Sequence, residues 1–327
     1  MAVTSEGRGA GGTAGAGEER RIVVGYDGSA VGLAAVAYAA EQVGAGGQLI
    51  VAHAYGAPPE WEGTPYYQSS LDRNQAHARE AIAAIPEDIL RGAKVETELV
   101  QGRPAAALLA LAESRGAEEI VVGSRGFGPI RGTLGSVSHG LLHEANVPVV
   151  VVPARMLGSA AGEREASRIV VGCDGSPTAS DALSHAAYRA GADGELVVVY
   201  AFRPPLEYVG TPFEKQAMDD FHARGRALLA QVTDEMVSGL ACERVVLEGP
   251  AAEALVDVAR SRRANEIVVG SRGLGGLRAA LGSVSHALLH DADRPVVVVP
   301  HTLAPEEQEA LIRDRRATRF RRGLLRL

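Results

Sequence analysis

EIVVGSRGFGPIRGTLGSVSHGLLHEANVPVVVVP, residues 119–153, returns 147 positions later as EIVVGSRGLGGLRAALGSVSHALLHDADRPVVVVP, residues 266–300. The two stretches agree at 26 of 35 positions, which marks a duplicated structural unit. The same shift lays Gly25-Tyr26-Asp27-Gly28-Ser29 on Gly172-Cys173-Asp174-Gly175-Ser176. It also lays Gly63-Thr64-Pro65 on Gly210-Thr211-Pro212, and Gly102 on Gly249. Two domains lie in tandem, and what one does is expected of the other.

Each copy of the quoted stretch runs from a short apolar strand through a glycine-rich loop and a helix to a second apolar strand. Working outward, residues 21–26 form a strand ending in the turn signal Asp27-Gly28-Ser29, and residues 30 to about 42 a helix stopped by Gly44 and Gly46-Gly47. Residues 49–54 are strand two, and 56–65 (with Pro58, Pro59 and Pro65) a loop. Residues 66–85 are an amphipathic helix ended by Pro86, and 94–100 alternate as a strand does. Pro104 opens a helix to 114, then 119–122 and 148–152 are strands four and five. Strands alternating with helices predict a parallel α/β sheet with helices on both faces. The expectation is two tandem flavodoxin-like, doubly wound domains, each a five-stranded sheet in the order 3-2-1-4-5, with a ligand crevice where strand order reverses. The expected divisions are a disordered leader (1–19), domain 1 (20–153), a linker (154–166), domain 2 (167–301) and a basic tail (302–327).

Composition agrees with that class. Hydrophobic residues make up 46% of the 327 but aromatics only 4%, so the cores are aliphatic, as buried parallel strands require. A net charge of −7 argues against whole-protein attraction to DNA or an anionic membrane. Cys173 and Cys242 are the two cysteines, and Tyr26 and Val95 stand at the equivalent positions, so both are expected at or near the core without a disulfide. No stretch reaches membrane-span length and no signal-like apolar run opens the chain, which predicts a cytoplasmic protein.

The order 3-2-1-4-5 opens its crevice between the carboxyl ends of strands one and four. Asp27-Gly28-Ser29 follows strand one, and Gly123-Ser124-Arg125-Gly126 follows strand four and continues to Gly135-Ser136. Glycines admit backbone N–H groups close to an anion, Ser136 is a predicted N-cap, and Arg125 and Arg131 can add charge-assisted bonds. The pattern suits a nucleotide's phosphates. It lacks the Gly-Lys-Ser/Thr of a P-loop, and its glycine spacing and its place after strand four differ from the dinucleotide fingerprint.

The strand-one Asp, the Gly-x-x-Gly loop, Gly-Ser at the next helix and the closing Pro-Val-Val-Val-Val strand resemble the universal stress protein family. Gly-Ser-Arg-Gly and Leu-Gly-Ser-Val-Ser are similar to the wording of tandem members from actinobacteria. The resemblance covers about 21–153 and 168–300. It implies a stress or dormancy regulator that binds ATP, alone or with Mg2+, rather than an enzyme. Carried across, the first site is Asp27, Ala54, Gly123, Arg125, Gly126, Gly135 and Ser136. The second is Asp174, Ala201, Gly270, Arg272, Gly273, Gly282 and Ser283. The family motif has nine residues between the second glycine and Gly-Ser. Here there are eight, Phe127 to Leu134 and Leu274 to Leu281, in both copies. The alternatives are therefore a scaffold that has lost nucleotide, and a slow ATPase. An unidentified protein partner is implied, and the family's habit of pairing domains through the last strand predicts an intrachain pseudo-dimer or a homodimer.

Other conspicuous side chains suit plainer roles. His139 and His143, repeated as His286 and His290, have helical i, i+4 spacing that can hold zinc, but no third ligand stands out, so a surface or interface pair is expected. Ser29 and Ser176 lack a nucleophile elbow and are expected to cap helices. The tail starts acidic and ends with seven arginines from Arg313 onward among leucines, which suits a helix packed on the body or on a second chain ahead of an RNA or membrane contact.

Overall fold

The computed structural model describes residues 20–44, 46–90, 92–124, 135–156, 167–203, 210–271 and 281–301. The leader, most of the linker, the tail and the glycine loops with Arg125, Gly126, Arg131, Arg272 and Gly273 lie outside the described residues. Domain 1 comprises β1 (Arg21–Gly25), α1 (Ala30–Val43), β2 (Gln48–Tyr55), α2 (Pro65–Ala83), β3 (Lys94–Gln101), α3 (Pro104–Arg115), β4 (Glu119–Gly123), α4 (Ser136–Glu144) and β5 (Val149–Val152). Domain 2 repeats them as β6 (Arg168–Gly172), α5 (Pro177–Ala190), β7 (Glu195–Phe202), α6 (Glu214–Leu229), β8 (Ala241–Glu248), α7 (Ala251–Ser261), β9 (Glu266–Gly270), α8 (Ser283–Asp291) and β10 (Val296–Val299). The 56–65 stretch, expected to be all loop, contains a short 3-10 turn at Pro59–Trp61.

Local chemistry accounts for these elements. The strands RIVVG, EIVVG and VVVV are β-branched and buried on both faces, so they read as continuous apolar runs. β3, an outer strand, keeps Lys94, Thr97 and Gln101 exposed. Helix α3 begins with Pro104 and ends at Gly116, whose φ of 58° is the left-handed cap that glycine adopts at no steric cost.

Each domain has the expected strand order, but the two sheets are one. The strands run β3-β2-β1-β4-β5-β10-β9-β6-β7-β8, and the join is antiparallel, with Val151 opposite Val296, Val150 opposite Val297 and Val149 opposite Val298. The last strand of each domain, a free edge in isolation, is thus covered by its repeat. Val150, Val152, Val297 and Val299 enter the core cluster that includes α1 and α5, while Val149, Val151, Val296 and Val298 enter the one that includes α3, α4, α7 and α8. Both clusters span both domains. Because the join is antiparallel, the carboxyl ends of the two domains' strands face opposite edges of the sheet.

The domains are also locked by a buried ionic network on the α1/α5 side. Arg189 of α5 reaches across to Glu119, which opens β4, with Nη1 2.5 Å from both carboxylate oxygens. Its Nε and Nη2 donate to Glu266, which opens β9, at 2.7 and 2.6 Å. Tyr38 of α1 donates to Glu266 and accepts from Arg189. Arg20 donates to Glu119 at 2.8 Å, and His185 Nε2 lies 3.0 Å from the same carboxylate oxygen. Glu119 and Glu266 are equivalent by the 147-residue shift, and one guanidinium serves both, so the network straddles the pseudo-twofold relation. At the positions equivalent to Arg189 and His185 stand Gln42 and Tyr38. The duplication has diverged there to give one cation between two carboxylates.

Candidate functional site

In each domain the described residues singled out from the sequence, Asp27, Ala54, Gly123, Gly135 and Ser136 or Asp174, Ala201, Gly270, Gly282 and Ser283, lie toward the carboxyl ends of adjacent strands. β1 and β4 are neighbours with Gly25 opposite Val122, so Asp27 and Gly123-Ser124 leave the sheet side by side. Tyr26 N donates to Ala52 O at 2.9 Å, which seats the Asp27 turn against β2, whose penultimate residue is Ala54. Cys173 N donates to Val199 O at 2.9 Å in the same way, and Ala201 is the penultimate residue of β7. Both cysteines are half-buried at the core margin and free, as expected.

The Asp-Gly-Ser turn is built outward from the carboxylate. Gly28 and Gly175 take φ of 88° and 81°, a conformation that restricts the position to glycine in practice. Asp27 Oδ1 accepts from Ser29 N at 3.0 Å and Ser29 Oγ at 2.6 Å, while Ser29 Oγ accepts from Gly32 N at 3.0 Å. Asp174 Oδ1 accepts from Ser176 N at 2.9 Å, and Ser176 Oγ from Ala179 N at 3.2 Å. Ser29 and Ser176 are therefore helix caps, worth about 1 kcal/mol each. The aspartates have a structural task in addition to any ligand contact.

Gly123 and Gly270 owe their identity to packing. A Cβ on Gly123 would stand 2.9 Å from Val31 Cγ1 and 3.2 Å from Val31 O. One on Gly270 would stand 2.7 Å from Thr178 Oγ1 and 2.9 Å from its backbone carbon. The first turns of α1 and α5 thus rest directly on the ends of β4 and β9. Gly135 N then donates to Ser124 O at 2.9 Å, Ser138 Oγ donates to Gly123 O at 3.2 Å and Ala154 N donates to Ser124 Oγ at 3.2 Å. Gly282 N to Ser271 O and Ser285 Oγ to Gly270 O, both 2.9 Å, repeat the pattern. The glycine loop therefore leaves and returns at one point, and the N-terminus of α4 sits at the end of β4.

One expectation is corrected here. Ser136 and Ser283 are not N-caps; Gly135 and Gly282 are, and neither helix start has a side-chain cap. The hydrogen bond from Gly135 N to Ser124 O holds Gly135 extended at φ −63°, ψ 149°, which leaves Ser136 as the first helical residue, with its side chain exposed. The correction leaves the amides of Ser136, Val137 and Ser138 without intrahelical acceptors, at the partially positive end of a helix. Those amides, the neighbouring carboxylate and the close strand–helix contact fit an anionic ligand with a hydroxylated or cationic appendage.

His53, not singled out from the sequence, lies beside this crevice on β2. It is 7% exposed, its ring meets those of Tyr26 and His77 edge-on, and its Nδ1 has no hydrogen-bond partner among the described residues. Burial lowers its pKa, the Asp27 charge opposes that, and His77 adds to it. The unfolded chain therefore takes up this proton more readily than the folded one. Folding stability is full above the ordinary histidine range and falls as pH drops below about 6.5. Replacing His53 with Tyr, the residue at the equivalent Tyr200, is expected to flatten the fall in stability below the ordinary histidine range, read by urea unfolding. An unchanged slope would place the dependence elsewhere. The mismatch of His53 with Tyr200 under the 147-residue shift was the available signal for this position.

His139 and His143 have ring centroids 4.4 Å apart, and His286 and His290 4.9 Å. Among the described residues no group of three or more His, Cys, Asp or Glu side chains is placed to hold a metal. No helix among them is long and apolar enough to cross a membrane.

Comparison with known proteins agrees with the tandem arrangement and the fold. The universal stress protein family model matches residues 19–153 and again 165–300. A universal stress protein of Mycolicibacterium smegmatis is 34% identical over 297 residues, covering 86% of this chain and 97% of the relative. The universal stress protein Rv2005c of Mycobacterium tuberculosis is 32% identical over 295 residues with the same coverage. The crystal structure of a universal stress protein from Archaeoglobus fulgidus superposes with a TM-score of 0.60 at 20% identity, covering 87% of this chain and 97% of that one, a likeness of fold.

Proposed function

Because the chain belongs to the universal stress protein family through both of its domains, we propose that each domain binds an adenine nucleotide of the ATP type in the crevice at β1 and β4, or at β6 and β9. The protein then acts as a ligand-dependent stress regulator and not through turnover. The observation that carries this reading is the apposition, in both domains, of an uncapped helix N-terminus and a turn-held aspartate on adjacent strand ends. Phosphate oxygens would take the free amides of Ser136–Ser138 and Ser283–Ser285, aided by Gly126, Arg125, Gly273 and Arg272 of the glycine loops. Asp27 and Asp174 would hold a ribose hydroxyl or Mg2+, and the backbone at Ala54 and Ala201 would line the base.

Such a ligand ties β1 to β4 and stabilises the domain by mass action, by about 2.7 kcal/mol at a hundred times its Kd. Calorimetric titration of ATP into the intact chain is expected to show two sites, and saturating ATP to raise the unfolding temperature. A flat titration with unchanged melting would favour the interaction scaffold. Phosphate release that vanishes with Asp27→Asn and Asp174→Asn together would favour an ATPase.

A further inference from the structure

Four of the nine histidines occupy equivalent positions in the two domains, His139 with His286 and His143 with His290. The other five face Tyr200, Arg224, Tyr38, Gln75 and Ala154 across the 147-residue shift. The four lie on α4 and α8, one turn apart on each helix. His139, His143 and His286 are exposed and His290 is partly so, on helices whose buried residues are Ser138, Leu141 and Leu142, or Ser285, Leu288 and Leu289. The imidazoles therefore stand away from the packed side, open to a solute.

Their spacing is that of two ligands on one ion. With Zn–N bonds of about 2.0–2.1 Å in tetrahedral coordination, the centroids of two bound imidazoles lie about 5 Å apart. The pairs here stand at 4.4 and 4.9 Å. Leu141 and Leu142 of α4 and Leu288 and Leu289 of α8 enter the same core cluster, so both pairs lie on one side of the joined sheet. Imidazole suits Zn2+, Cu2+ and Ni2+ rather than Mg2+ or Ca2+.

We propose that each histidine pair, His139/His143 and His286/His290, binds one divalent transition-metal ion, giving two ions per chain on the α4/α8 face. Each ion keeps open positions for water or a further donor, because among the described residues the cluster contributes two imidazoles and no third ligand. The proposal assigns the imidazoles and not the backbone amides of Ser136–Ser138 and Ser283–Ser285, so uptake is expected without nucleotide.

Calorimetric titration of Zn2+ into the untagged, nucleotide-free intact chain tests it. Two equivalents are expected for the wild type, one for His143→Asn or His290→Asn, and none for the double variant, with circular dichroism checking that each remains folded. Two equivalents retained by the double variant, or no uptake by the wild type, would overturn the proposal. A single equivalent lost on either substitution would overturn it as well, since that result describes one ion shared between the domains.

Discussion

Arg189→Met is expected to destabilise the chain by about 3–5 kcal/mol at neutral pH, because it strands two buried carboxylates. The Arg189 and Glu119 side chains are fully buried and that of Glu266 is 4% exposed. Burial pushes both carboxyls upward. Arg189, with His185 and Arg20 for Glu119 and Tyr38 for Glu266, overcomes that and holds them below the usual carboxylate range. Their stabilising contribution is therefore present above the unfolded carboxylate pKa and is lost as pH falls through the depressed folded values. In the variant Arg20 and His185 still face Glu119 and Tyr38 still faces Glu266, but the guanidinium shared by both is gone, so the carboxylates protonate earlier. The gap between wild type and variant, measured by denaturant unfolding, should narrow on acidification. Replacing Arg189, Glu119 and Glu266 together by apolar residues is expected to cost far less than Arg189→Met alone, since desolvated pairs add little net stability. A single variant within about 1 kcal/mol of wild type would mean the network is solvated in solution.

The second large effect concerns two kinds of glycine in one signature. Gly270→Val is expected to cost about 1–3 kcal/mol or more, because its Cβ would collide with the backbone of Thr178 as well as its side chain. Gly123→Val should behave likewise against Val31. Gly135→Ser and Gly282→Ser are expected to be neutral or stabilising. The backbone at φ −63° and −60° suits any L-residue, and serine is a favoured N-cap. Thermal melts of the four variants check this, and equal losses at all four positions would contradict it. One of the three signature glycines in each domain, Gly123 or Gly270, is thus a packing requirement of α1 or α5, whatever the crevice binds.

Much of this was legible in the sequence. Uninterrupted valine runs predicted strands buried on both faces, and the family resemblance implied pairing through the last strand, the join that β5 and β10 make. Ser29 and Ser176 followed from their place before an alanine-rich helix. The start of α4 was misassigned by one residue because Gly135 and Ser136 are both acceptable caps, and the choice is made by a hydrogen bond to Ser124 that spans the whole loop. Arg189 escaped notice for a related reason. On α5 alone it is a helix-surface arginine; the packing of α5 on β9 brings Glu266 to it within domain 2, and only the antiparallel join brings Glu119. Divergence between repeats, Gln42 with Arg189 and His53 with Tyr200, marks such positions, whereas identity between repeats does not separate binding from packing.

The central claim, a nucleotide phosphate at each uncapped helix start, is tested most directly by Ser136→Asp/Ser283→Asp. A carboxylate in the first turn favours the helix through its partial positive charge. It also sets a negative charge where the phosphates would lie. ATP titrated calorimetrically should bind wild type at two sites and the double variant at none, while the variant's ligand-free melting temperature is equal or higher. Unchanged ATP affinity in the variant would contradict the account and move the ligand away from α4 and α8.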